Sequence, residues 1–101
     1  MNEFNRRHDD LFDFASTKGW DGYSAEPVSE TIKQNALRIW TEYKLENKKY
    51  DIILNSTGTI TFEAICVHGH LDIVVDKNEY TVYISDIDLG TDYLNGMTVT
   101  L

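Results

Sequence analysis

Apolar residues recur along this chain with two different periods, and the change falls near Tyr50. Before it the spacing is helical. Phe4, Leu11, Phe12 and Ala15 share one stripe with Phe14 beside it, while Arg6, Asp9, Asp10 and Asp13 lie mostly elsewhere. This pattern predicts a helix from about Glu3 to Lys18, closed by Gly19. A second helix is marked more sharply. Ser29 can cap it, Glu30 suits the positive end of its dipole, and Pro27 stands just outside. Ile32, Ala36, Ile39, Trp40 and Tyr43 form its apolar face, Lys33, Gln34, Arg38 and Glu42 its wet one, and "ENKK" ends it.

From Tyr50 onward the period is two. Ile60, Phe62, Ala64 and Cys66 alternate with Thr59, Thr61, Glu63 and Ile65; Leu71, Ile73 and Val75 follow, then Tyr80, Val82 and Ile84. Turn chemistry and alternation together predict the registers, since a slip of one residue would turn a whole strand over. A His68-Gly69 loop pairs Cys66 with Leu71, Ala64 with Ile73 and Phe62 with Val75. A Lys77-Asn78 loop pairs Val75 with Tyr80 and Ile73 with Val82. In the first hairpin a Ser56-Thr57 loop would set Asp51 opposite Phe62. A Ser56-Thr57-Gly58 loop instead pairs Leu54 with Ile60 and Ile52 with Phe62, with Gly58 left-handed. "MTVTL" alternates again and can add a fifth strand. The expected fold is therefore α+β, with two helices packed on one face of a four- to five-stranded antiparallel sheet, in a single domain over 1–101.

The opposite sheet face matters more for function. Ile65, Val74 and Tyr83 point away from the helices, among Thr61, Glu63, Asp72 and Thr81. They are either scattered surface apolars or a contact patch for a partner or a second copy of the chain.

Charge narrows the choice of partner. The chain carries 17 Asp and Glu against 9 Lys and Arg, for a net charge of −8. Such a surface repels phosphate backbones, which disfavours direct nucleic-acid binding and favours basic proteins; acidity also simply aids solubility. A lone cysteine, Cys66, forms no internal disulfide and fits a reducing compartment. No apolar run approaches the roughly 18 residues a membrane span needs, and "MNEFNRRHDDLF" has no signal-like core. A cytoplasmic protein without membrane association is expected.

Catalytic signatures are thin. "CVHGH" offers Cys66, His68 and His70 as zinc-type ligands, but Cys66 belongs to a core strand and His68 to a turn. "SDIDLGTD" clusters Asp86, Asp88 and Asp92, yet Gly90 and Met97 occupy the wrong positions for a calcium loop begun at Asp86. No G-x-S-x-G, H-E-x-x-H or phosphate-cradling loop is present. The expectation is no enzyme, no cofactor and no metal.

"GWDGYSAEPVS", residues 19–29, joins the helices. Gly22 suits a positive-φ turn, Asp21 can accept backbone N–H groups, Pro27 stiffens the approach to the second helix, and Trp20 and Tyr23 can close one end of the core. Alternatively Trp20, Asp21 and Tyr23 form an exposed recognition spot. Trp20, Asp21, Gly22, Ala25, Pro27, Val28 and Ser29 resemble a signature, W-D-G-x-x-A-x-P-[IV]-S, of small and largely uncharacterised bacterial and phage proteins; Ser24 stands where glycine is frequent. The resemblance implies a helix followed by a β-meander and a bacterial or phage source, and carries over no catalytic residue.

These readings converge on a small acidic protein-binding module. Its most concrete form is an anti-CRISPR-like inhibitor of a bacterial defence system, blocking a basic, nucleic-acid-handling surface. Expected contacts are Ile65, Asp72, Val74, Asp76, Glu79, Tyr83, Asp86, Asp88 and Asp92, and the helix-free face can also support a homodimer. The competing expectation is a small-ligand or metal-dependent module, or a cryptic enzyme, using the His68/His70 turn or the Asp86/Asp88/Asp92 loop.

Overall fold

The computed structural model describes residues 2–66, 69–86 and 96–101, leaving aside the side chains of Cys66, Ser85 and Asp86. Two helices, α1 (Glu3–Phe14) and α2 (Glu30–Glu42), precede a single 3-10 turn at Leu45–Asn47. Five strands follow: β1 (Lys49–Leu54), β2 (Ile60–Cys66), β3 (Gly69–Val75), β4 (Glu79–Asp86) and β5 (Met97–Thr100). They form one antiparallel sheet in the order β1-β2-β3-β4-β5, so every neighbour in space is a neighbour in sequence. No described helix is long and apolar enough to cross a membrane.

Each helix begins where a side chain can accept the N–H groups its first turn leaves open. Ser29 Oγ accepts from the Ile32 N–H at 3.2 Å, as the sequence predicts. Asn2 does the same for α1, accepting from Asn5 at 2.7 Å. The α2 stripe is also as expected, with Ile32, Ala36, Ile39 and Trp40 buried and Tyr43 at the C-cap. Lys44 then turns left-handed (φ 53°) and sends Leu45 into the core.

The first helix stops four residues short of Lys18, and hydrogen bonds explain why. Ser16 Oγ donates back to the Asp13 carbonyl at 2.7 Å, the kind of local competition that loosens a helix end. The Ala15 carbonyl, which a longer helix would offer to residue 19, accepts instead from Val28 at 2.9 Å. Gly19 donates to the Ala25 carbonyl at 2.7 Å. The returning segment thus takes over groups the helix would have used.

Two of the three expected registers are observed, and the fifth strand adds a pairing for which the sequence set no register. Leu54 opposes Ile60 across a loop with Gly58 at φ 84°. Val75 opposes Tyr80, and the fifth strand sets Tyr80 opposite Val99. The β2–β3 register differs by two residues. Cys66 opposes Gly69, Ala64 opposes Leu71, and Phe62 opposes Ile73. Gly69 belongs to β3 rather than to the turn expected for it, while Val67 and His68 lie outside the described residues. A two-residue shift leaves every side chain on its own face, so alternation alone could not tell the registers apart. In the observed register Leu54, Ile60, Val75, Tyr80 and Val99 line up in one row across all five strands.

The core lies between the helices and this face. Phe4 and Phe12 of α1 and Ile32, Ile39 and Trp40 of α2 meet Ile60, Phe62, Ile73, Val75 and Val82. Among the described residues one polar side chain is buried with them, His8, held between Phe4 and Phe12 on the α1 stripe. Its Nδ1 bonds the Phe4 carbonyl at 2.8 Å and its Nε2 faces the Tyr50 hydroxyl at 3.3 Å. That hydroxyl in turn accepts from Trp40 Nε1 at 2.9 Å. With Nδ1 donating to Phe4 and Nε2 accepting from Tyr50, a neutral imidazole satisfies the chain throughout, tying α1, α2 and β1 together. Desolvation, reinforced by the nearby Arg7 charge, pushes the His8 pKa down against the pull of the Phe4 carbonyl.

The Trp20–Asp21–Gly22 segment is built as a joint. Asp21 Oδ1 accepts the N–H groups of Tyr23 at 2.9 Å and Ala25 at 3.3 Å. Trp20 packs on the core while its Nε1 reaches the Glu26 carbonyl at 2.7 Å. Tyr23 departs from expectation. It is 87% exposed and closes nothing, because Gly22 at φ 85° swings the chain outward.

Candidate functional site

The sheet face that carries no helix is assembled from the odd-numbered residues of β1, β2 and β4 and the even-numbered residues of β3. Register converts this rule into rows. Asp51, Glu63 and Asp72 oppose one another in turn, and Tyr83 completes the row on β4. On one side lies Ile53, Thr61, Val74, Thr81 and Thr98; on the other, Lys49, Ile65, His70 and Ser85.

The central row carries the chemistry. Directly opposed residues have Cβ atoms only about 5 Å apart, and like charges so placed repel. Asp51, Glu63 and Asp72 nonetheless follow one another across three strands. Glu79 lies further along the same face, opposite Thr100, and Asp76 beside it donates its N–H to the Glu79 carbonyl at 2.9 Å. Lys49 is the single Lys or Arg among the described residues of these strand rows.

Apolar side chains flank the acids. Ile65 is 61% exposed and Tyr83 38%, while Val74 is half-buried between Thr61 and Thr81. Tyr83 is braced from the side. A Cβ at Gly96 would stand 2.6 Å from its Cε1, so the bare glycine backbone is what lets the ring lie across β4 toward β5.

Of the residues expected at a binding surface, Ile65, Asp72, Val74 and Tyr83 come together here, with Asp76 and Glu79 at the adjoining hairpin. Asp86 ends β4, and its side chain lies outside the described residues, as do Asp88, Asp92 and His68. His70 is exposed on this face, opposite Ile65. Asp51 and Glu63 were not expected as contacts, although the Ile52–Phe62 pairing already implied that they face each other. Among the described residues no group of three His, Cys, Asp or Glu side chains could hold a metal ion.

Comparison with family models, with characterised proteins and with solved structures finds no match for the chain. What is defined is an α+β domain with one face of its antiparallel meander bare.

Proposed function

We propose that this chain is a protein-binding module that seats its helix-free sheet face on a basic surface of a partner protein. The observation that carries the reading is the row Asp51–Glu63–Asp72, flanked by Ile65, Val74 and Tyr83. Asp51 and Glu63 stand directly opposite each other, and a partner's Lys and Arg would neutralise such a pair. Aromatic and aliphatic neighbours supply the buried area that charge alone does not. Where the partner surface handles nucleic acid, its occupation excludes the phosphate backbone, and the module acts as an inhibitor. With the bacterial or phage source that the W-D-G signature implies, the most concrete partner is a nucleic-acid-handling component of a bacterial defence system.

The same row argues against a twofold dimer through this face. With Lys49 as its only strand Lys or Arg among the described residues, against Asp51, Glu63 and Glu79, a second copy brings more of the same charge. The test is capture from a bacterial lysate on the immobilised chain, beside the double variant Glu63→Lys/Asp72→Lys. Partners that bind the wild type, elute with salt and ignore the variant support the proposal. Capture indifferent to the charge reversal, or a dimer in sedimentation that the reversal leaves intact, overturns it.

A further inference from the structure

A second surface lies along the open edge of β1. In an antiparallel ladder, residues alternate between those bonded to the neighbouring strand and those whose N–H and C=O point away from it. The bond from the Asn55 N–H to the Thr59 carbonyl (3.0 Å) sets the phase. Positions 53, 51 and 49 therefore bond β2, and the backbone groups of Tyr50 and Ile52 face outward. β1 is the outermost strand, and no described strand pairs with that side.

This edge is not flush with the surface. It forms one wall of an open groove of about 720 Å³ whose other wall is α1, through Arg7, His8 and Leu11. Leu11 and Ile52 make its floor apolar, and Arg7, Lys48 and Lys49 make its rim basic, with Asp51 the one acid among the described residues that line it. Three of the chain's nine Lys and Arg residues thus collect in one place on a molecule of net charge −8. Arg7 is held there by Glu3, whose Oε1 it meets at 2.9 Å, and by the face of Trp40, 5.7 Å from its ring centre. Lys48 Nζ is anchored on the Tyr43 carbonyl at 2.6 Å.

We propose that this groove takes up an extended acidic segment of a partner, which adds to the sheet as a strand beside β1. Main-chain bonds to Tyr50 and Ile52 supply the pairing, as in other edge-strand additions. Leu11 and Ile52 receive apolar side chains on the inner side, and the basic rim selects acidic ones. Residues 48–52 span about 16 Å of strand, room for a peptide of four or five residues. At physiological ionic strength charges beyond about 8 Å are screened, so the rim rather than the net charge decides the match. A second copy of the chain is a poor occupant, since it would bring its own Arg7, Lys48 and Lys49 to the same groove.

A fluorescein-labelled peptide of alternating Glu and Val is the probe, titrated by anisotropy with hydrogen exchange read at the β1 amides. Saturable binding is expected, with slowed exchange at Tyr50 and Ile52. The Lys–Val counterpart and the Glu–Val peptide N-methylated at alternate residues should fail to bind, the latter with the protein unaltered. Lys49→Glu, at an exposed position, should weaken binding about tenfold or more. Equal binding by the N-methylated peptide overturns the proposal, as does binding that leaves the Tyr50 and Ile52 amides unprotected. So does an unliganded chain that already protects those amides by dimerising.

Discussion

Gly58 stands under two constraints at once. Its φ of 84° belongs to the left-handed region, which the three-residue β1–β2 loop requires. A Cβ there would also lie 2.9 Å from the Pro27 carbonyl and 3.3 Å from the Glu26 Cβ. The joint between the helices rests on this turn, where Glu26 donates to the Ser56 carbonyl at 2.8 Å. Gly58→Ala should therefore destabilise by about 2 kcal/mol, the left-handed cost plus displacement of the joint, measured by urea unfolding. His8 makes a prediction about pH. Its folded pKa is depressed below 6.5, chiefly by desolvation, so the unfolded chain binds its proton more readily. The stability this contributes is present above about pH 6.5 and is lost as pH falls toward the folded pKa. His8→Phe, which keeps a ring between Phe4 and Phe12, should flatten the melting temperature across that window. An unchanged slope would assign the titration elsewhere. At the alkaline end, desolvation and the Tyr80 hydroxyl push the Tyr43 phenol up to about 12. That contribution is complete below about pH 10 and fades as pH rises through 12.

Elements were legible wherever local chemistry and periodicity agreed. The α2 cap at Ser29, the Gly58 loop and the Lys77-Asn78 turn each placed a boundary that alternation then confirmed. The β2–β3 register and the end of α1 were not legible, for different reasons. A shift of two residues conserves sidedness, so nothing in the apolar pattern opposed it. Phe14 fits the helical period, but the Val28 N–H that takes the Ala15 carbonyl arrives from a distant segment. His8 was hidden because a histidine on an apolar stripe gives no sign of its partners; Tyr50 and Trp40 meet it only after the chain folds. The acid row could have been read from register alone, and it makes the element's own prediction. Glu63 stands directly opposite Asp51, so Glu63→Lys should replace repulsion by attraction and raise stability by about 0.5–1 kcal/mol. The same substitution should abolish capture of a basic partner. A gain in stability together with a loss of binding is the expected outcome, and a stability loss would show that the row is not strained.

At the scale of the whole molecule, charge and apolar surface are separated into two unlike faces. The bare sheet face concentrates acids around Ile65, Val74 and Tyr83, whereas Arg7, Lys48 and Lys49 gather along the β1 edge, with Lys49 where the two surfaces meet. A molecule with net charge −8 approaches a basic partner under attraction that extends over a Debye length, about 8 Å at physiological ionic strength and about 3 Å at 1 M salt. Steering of this kind acts on the association rate, while short-range packing acts mainly on the dissociation rate. Tyr83, braced over Gly96, is the aromatic best placed to act as a packing anchor. Kinetics with a captured partner should therefore divide cleanly. Glu79→Lys, at an exposed position on the rim of the face, should slow association and flatten its salt dependence while leaving dissociation nearly unchanged. Tyr83→Ala should hasten dissociation by roughly tenfold or more, equivalent to about 1.4 kcal/mol or above, with association little altered. If both substitutions acted on the same rate constant, the division of labour between charge and packing on this face would be wrong.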